Sequence, residues 1–493
     1  MRILVHDFLK AAAQRCPGKT ALICQDATCT FEALDAASDR VACQLQRDGI
    51  VRGDRVAIFW NNSIELVIAT FGILKAGAVF LVLNPGLKKD KLAYILHDCG
   101  VRAVFTPPAS ENMIAGINAD LLLPKLSEIV AQPHAVPADP GLIDEDLCTI
   151  IYTSGSTGQP KGVMLTHRNM ANTAWAISTY LENTPDDVIL CALPLSFDYG
   201  LYQVITGARV GFTVLLEASF AFPFQVLKDV QKWRVTGFPG VPTIFATILQ
   251  MTPIEGVDLS TIRYLTNTAA VLPHSHILRL QELLPGAKIF SMYGLTECTR
   301  VCYLDPALIN EKVGSVGKAM PNSEIYLVDD NGNRLPNGST GKLVLRGANV
   351  MRGYWGKPAE TARLLREGEI PGEMVMHSGD VFRTDEEGFL YFQGRNDDIF
   401  KCKGEKVSPR EIEDVLHASP LIAEAAVVGT PDPIDGMAVK AVVVPRPGAT
   451  LTEQDVRKIC RAQLESHLVP KFVEIRNELP KTDSGKVKKT GLA

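Results

Sequence analysis

The sequence has no CxxC pair, no apolar run of membrane length and no dominant charge of one sign. Its 11 cysteines are scattered singly from Cys16 to Cys460, so neither a disulfide framework nor a zinc ribbon is written into the chain. Cys298 and Cys302 stand four apart, but no His or further Cys lies near them at ligand spacing, and they read as small apolar residues. Apolar runs such as AVVVP fall far short of the ~20 residues that a membrane-spanning helix requires. Lys and Arg number 50 against 55 Asp and Glu, a formal net charge of −5. No long-range field exists to hold a polyanion, and nucleic acid is not expected as a partner. No repeat of fixed period is visible, which removes solenoids and propellers. The opening MRILVHDFLKAAAQRC carries Asp7 and Lys10 inside its apolar stretch and reads as an amphipathic helix rather than a leader. A cytoplasmic address is the expectation.

What is present is an ordinary globular composition, 46% apolar over 493 residues, long enough for several domains. From Thr30, apolar residues at 34, 37, 41 and 45 recur at helical spacing, with Thr30 as cap and Gly49 as stop. The strand RVAIFW follows, then a helix capped by Asn61 and Asn62, the strand VFLVLN, the helix KLAYILHDC and the strand VRAVF. That alternation predicts βαβ units and a mostly parallel sheet covered on both faces. Beyond Pro321 the texture becomes EIYLVDD-NGNRLPNGSTG-KLVLRG, a hairpin region. The last hundred or so residues carry their own α+β pattern, with helices from about Ser408-Pro409 and from Thr452, and read as a small separate domain. The fold class is therefore α/β: a large N-terminal domain of mostly parallel βαβ sheets plus a distorted β region, followed by a small α+β domain.

The most informative segment is TSGSTGQPKG at 153–162. Its glycines allow close backbone approach, its hydroxyls and N–H groups supply donors, and Lys161 adds a cation, a combination suited to phosphate. The spacing is not the GxxxxGK[ST] of P-loop NTPases, which leaves a generic kinase or ATPase without its main support. With MYGLTE (292–297), HSGDV (377–381), GRNDDIFKCKGEKVSPREIE (394–413) and PKTDSGK (480–486), the chain resembles the adenylate-forming superfamily over essentially its whole length. That superfamily includes acyl-CoA synthetases, aryl-CoA ligases and enzymes that load amino acids onto carrier proteins.

The resemblance implies an AMP-forming carboxylate–thiol ligase using ATP and Mg²⁺, with an adenylation domain at 1–395 and a mobile domain at 396–493. It assigns Thr153, Ser154, Gly155, Ser156, Thr157, Gly158 and Lys161 to the nucleotide phosphates. Tyr293 would stack on adenine, Thr296 would meet phosphate, and Glu297 would offer a hard oxygen to Mg²⁺. Asp380 would accept from the ribose hydroxyls, and Arg395 would support ribose and phosphates. Lys486 would enter the active site and offset the charge that grows as carboxylate attacks phosphorus. Asp397 aligns with the pivot on which the C-terminal domain swings between half-reactions.

Substrate residues expected from the resemblance are Phe197, Asp198, Tyr202, Leu265, Asn267, Met292 and Arg300. The Phe197-Asp198 pair matches the amino-acid enzymes, in which the Asp holds the substrate's α-ammonium. An internal Asp198–Arg300 pair would neutralise the carboxylate instead, and both readings stand at this point. His167, His274 and His276 are taken as structural, since a carboxylate already ionised at pH 7 needs no general base. The chain shows no DSL-type phosphopantetheine site, so the acceptor thiol is expected to come from outside. A separate acyl or peptidyl carrier protein carrying an amino acid or small acyl acid is the first expectation, and free CoA the alternative.

Overall fold

The computed structural model describes residues 3–153, 159–268, 272, 274–395, 400–407, 409–417, 419–446, 448–480, 489 and 491–492. Two large sheets form the N-terminal part. One runs in the order Gly353–Tyr354, Lys161–Thr166, Leu147–Thr153, Val79–Leu83, Arg55–Phe59, Val101–Phe105, and its middle strands are parallel, as the alternation predicts. The other contains the parallel run Lys288–Tyr293, Tyr264–Asn267, Gly237–Gly240, Val188–Cys191, Thr213–Leu216 and Thr20–Cys24. The helix Ile64–Lys75 is buried along nearly its whole length, which is why its sequence is apolar all round. Its one cation, Lys75, is neutralised by Asp35 at 2.6 Å and Asp39 at 2.7 Å on the adjoining helix Phe31–Arg47.

The hairpin region beyond Pro321 is an antiparallel sheet of Ser323–Val328, Thr340–Gly347, Met374–Thr384, Leu365–Glu367 and Leu390–Arg395. A separate apolar core spans Cys402 to Leu468 in the C-terminal part. It packs the helices Pro409–His417 and Glu453–Gln463 on the strands Ile422–Asp432, Gly436–Pro445 and Phe472–Ile475. Thr452 caps the second of these helices in a capping box with Asp455.

Thr30 caps the helix Phe31–Arg47 as expected, accepting from the Ala33 N–H at 3.1 Å. The cap of Ile64–Lys75 is Ser63, not Asn61 or Asn62. Asn62 is used elsewhere: it donates to the Leu193 and Glu217 carbonyls at 2.9 Å each and accepts from the Leu195 N–H at 2.9 Å. A buried amide thus pins the loop that leads into the helix Asp198–Val210.

That loop crosses its own helix at Gly200, where an added Cβ would sit 2.4 Å from the Pro194 carbonyl oxygen and 2.6 Å from that of Leu193. In an open helix Gly→Ala gains about 1 kcal/mol. Here the backbone overlap reverses the sign, and Gly200→Ala should cost about 3 kcal/mol in chemical denaturation. A neutral or stabilising result would show that the loop can move away at little cost.

Candidate active site

The candidate residues gather at the carboxyl ends of the parallel strands, where Gly240, Asn267 and Ser291 stand in register. Ligand crevices of open α/β sheets form at such ends. Thr153 and Lys161 pair across the antiparallel strands Leu147–Thr153 and Lys161–Thr166 and so bracket the loop between them. Ser154, Gly155, Ser156, Thr157 and Gly158 of that loop lie outside the described residues.

Lys161 Nζ lies 5.4 Å from the centre of the Tyr354 ring. Tyr354 is held there because Gly353–Tyr354 pairs with Lys161–Thr166, Tyr354 facing Val163. Its hydroxyl donates to Glu297 Oε1 at 2.7 Å, and the Glu297 carbonyl accepts from the Met351 N–H at 2.8 Å. Glu297 is 5% exposed, so a buried carboxylate is fixed against Tyr354, whose ring also faces Lys161. Thr296, in the same turn, is buried as well. Tyr354 was not foreseen from the sequence, since a tyrosine in MRGYWG carries no chemical signature of its own.

Tyr293 and Asp380, 87 residues apart, meet directly: the tyrosine hydroxyl donates to Asp380 Oδ2. Asp380 is buried and pairs in register with Arg395 across the strands Met374–Thr384 and Leu390–Arg395. The Tyr293 ring packs edge-on against Phe382 with centroids 4.8 Å apart. These residues form an aromatic, carboxylate-bearing wall.

On the other side, a cavity of about 190 Å³ is lined by Thr153, Phe197, Asp198, Tyr199, Thr296 and Arg300 among others. Arg300 is 2% exposed, with Cζ 4.9 Å from the centre of the Tyr199 ring. Leu265, Asn267, Met292 and Tyr202 are buried in adjacent strands and helix without lining the cavity. Met292 Sδ accepts from the Tyr180 hydroxyl at 3.2 Å. Burial pushes the Tyr180 phenol up to about 12, while nearby Arg300 pulls it down. His167 is fully buried and accepts from the Val5 N–H at 3.1 Å, a packing role.

The same cavity extends to the C-terminal part, where Lys401, Lys403, Gly404, Glu411, Glu465 and His467 complete its lining. Lys91, on the helix Lys89–Asp98, reaches across to Glu411 at 2.7 Å and Glu465 at 3.0 Å. Burial, with Glu465 alongside, pushes the Glu411 carboxyl up, and Lys91 opposes that. The hairpin Phe400–Cys402 and Glu405–Val407 turns through Lys403 (φ 54°) and Gly404 (φ 81°). A Cβ on Gly404 would meet Val241 at 2.9 Å, so the C-terminal part touches the N-terminal one at a glycine. This interface pairs residues 320 apart and left no local signal in the sequence. Asp397 and Lys486 lie outside the described residues.

Two family profiles match, one described as AMP-binding enzyme over residues 9–355 and one as AMP-binding enzyme C-terminal domain over 411–486. A feruloyl-CoA synthase of Amycolatopsis sp is 35% identical, covering 97% of this chain and 96% of that one. A long-chain-fatty-acid–CoA ligase of Bacillus subtilis (strain 168) is 31% identical, covering 98% of this chain and 93% of that one. Two structures of the o-succinylbenzoate CoA synthetase of Bacillus subtilis, each 28% identical, cover 98% of this chain and 97–98% of their own. The double mutant bound with its product analogue OSB-NCoA superposes with a TM-score of 0.88, whereas the complex with AMP gives 0.73.

Proposed function

The chain belongs to the AMP-binding enzyme family as an AMP-forming acid–thiol ligase, and from that premise we propose that coenzyme A is its thiol substrate. The observation that carries this reading is the cavity lined by both parts of the chain, with Phe197, Asp198 and Arg300 from one and Lys401 and Lys403 from the other. A pantetheine arm entering past cationic side chains would bring its thiol toward an acyl group held near Thr296. The curated relatives named above use CoA by name, which favours it over the carrier protein as acceptor.

The reaction has two halves. A carboxylate oxygen of the acid attacks the α-phosphorus of ATP and pyrophosphate leaves. The thiol sulfur then attacks the acyl carbon, AMP leaves with the bond's electron pair, and the thiol proton passes to solvent. In this reading Tyr293, Asp380 and Arg395 would hold the nucleoside, and residues 153–158, Lys161 and Thr296 are assigned to the phosphates. Among the described residues no cluster of three His, Cys, Asp or Glu can hold a metal alone. Mg²⁺ favours one or two carboxylates plus substrate phosphates, and buried Glu297, anchored by Tyr354, fits that need. The ion, when bound, neutralises phosphate charge. The chain divides at 395/396, with Asp397 as the pivot, and Lys486 serves the first half-reaction.

ATP–pyrophosphate exchange over amino acids, their deamino analogues, aryl acids and fatty acids tests the reading, followed by AMP release with CoA or with a phosphopantetheinylated carrier protein. Exchange with acids lacking an amino group and CoA-dependent AMP release are expected. Exchange confined to amino acids, with CoA unused, would return the assignment to a carrier-protein ligase.

The Lys91 bridge gives a second expectation. Removing the cation strands two buried carboxylates only when the parts stand as they do here. Lys91→Met should therefore slow acyl transfer to CoA about tenfold while leaving pyrophosphate exchange within about twofold, by shifting population away from this arrangement. Equal loss in both half-reactions would make Lys91 a general stability residue.

A further inference from the structure

Building on the ligase reading, we infer that the acid substrate carries a second anionic group seated on Arg300, so that the enzyme activates one end of a dicarboxylic acid. Arg300 lines the cavity yet is 2% exposed, and its Nε is buried with no hydrogen-bond partner. Its neighbours are the face of the Tyr199 ring and the Tyr180 phenol, which burial keeps neutral. Among the described residues no carboxylate forms an ion pair with it. A buried guanidinium with π faces and no counter-charge is costly, and a bidentate carboxylate is the partner its fork of donors matches. Asp198, another charged group lining the cavity, already has an interaction within the protein. The cavity therefore asks for an anion at Arg300.

The backbone is built to put Arg300 there. The Arg300 N–H donates to the Cys298 carbonyl at 2.6 Å, closing a γ-turn around Thr299 at φ 58°. A β-branched residue in the left-handed region is strained, and such strain persists only where surrounding structure enforces it. Fully buried Asn349 enforces it by donating through Nδ2 to the Arg300 carbonyl at 2.8 Å and the Cys298 carbonyl at 3.2 Å. Leu193, Pro194, Phe197 and Leu295 give the same cavity apolar surface. That suits a diacid with a hydrocarbon body. A neutral acceptor would satisfy hydrogen bonds and leave the charge uncompensated.

The test uses matched probes, butyrate against glutarate, hexanoate against adipate and benzoate against terephthalate, in pyrophosphate exchange and CoA thioester formation. The wild-type enzyme should favour the diacid by about 100-fold in kcat/KM in at least one pair, as expected where a site is built around a polar group. Arg300→Gln should bring that preference to within about threefold, through a raised KM for the diacid, while ATP still raises the melting temperature. Arg300→Lys should retain part of the preference. Wild-type preference for the monoacid in every pair, or equal loss of both acids in Arg300→Gln, would overturn the inference and leave the ligase reading standing. No exchange with any acid would overturn both. Should Arg300→Gln fail to fold, the wild-type pairs alone decide.

Discussion

Glu297→Gln should lower ATP–pyrophosphate exchange about 100- to 1000-fold, the scale on which loss of one charged stabilising group acts in other active sites. The substitution keeps the shape and an oxygen acceptor for the Tyr354 hydroxyl, which now stands 2.7 Å from Oε1, so the turn 294–300 should hold its fold. What disappears is a negative charge fixed in a buried position against Tyr354. If that charge recruits Mg²⁺ with the nucleotide, the Mg²⁺ concentration needed for half-maximal exchange should rise in the variant, a readout that a packing role would not move. Tyr354→Phe supplies the intermediate case. It leaves the charge but removes its anchor, and about a tenfold loss is expected. Unchanged exchange in Glu297→Gln would reduce Glu297 to a buried hydrogen-bond acceptor and remove the metal assignment.

The sequence already spelled out the pieces that obey local rules. Thr30 and Thr452 cap the helices they precede, and the apolar strands from Arg55 to Phe105 pair in parallel as their alternation demands. Motif residues far apart in sequence come together, as Tyr293 does with Asp380. What local rules could not reveal were contacts between side chains whose meeting depends on strand order. Asn62 is a good cap by type, yet three backbone groups from two distant segments claim it, and Ser63 takes the cap. Lys91, Glu411 and Glu465 look like surface charges in sequence, and only the docking of the C-terminal part buries them together. The resemblance allowed Asp198 and Arg300 to be an internal pair, yet among the described residues no carboxylate forms an ion pair with Arg300. The γ-turn at Thr299 sends Arg300 onto Tyr199, a geometry that no periodicity encodes.

Lys486→Ala should abolish adenylation, with about a 1000-fold loss of pyrophosphate exchange, and spare thioester formation from a preformed acyl-adenylate to within about threefold. The argument is electrostatic. In the first half-reaction a carboxylate and a triphosphate, both anionic, must approach to bonding distance, and a cation placed between them is worth most at the transition state. The arrangement described here brings other cations of the C-terminal part to the cavity: Lys401 and Lys403 at the turn that touches Val241. If Lys486 serves the phosphates from a second arrangement, the Lys91 bridge opens on the way to it. The two lysines should therefore separate the half-reactions in opposite senses: Lys486→Ala blocks the first and spares the second, Lys91→Met spares the first and slows the second. Mixing them will not blur the result, because each half-reaction is assayed alone, exchange with ATP and pyrophosphate, transfer with synthetic adenylate and CoA. Retained exchange in Lys486→Ala would remove the lysine from the chemistry, and parallel losses in both variants would mean that one arrangement serves both steps.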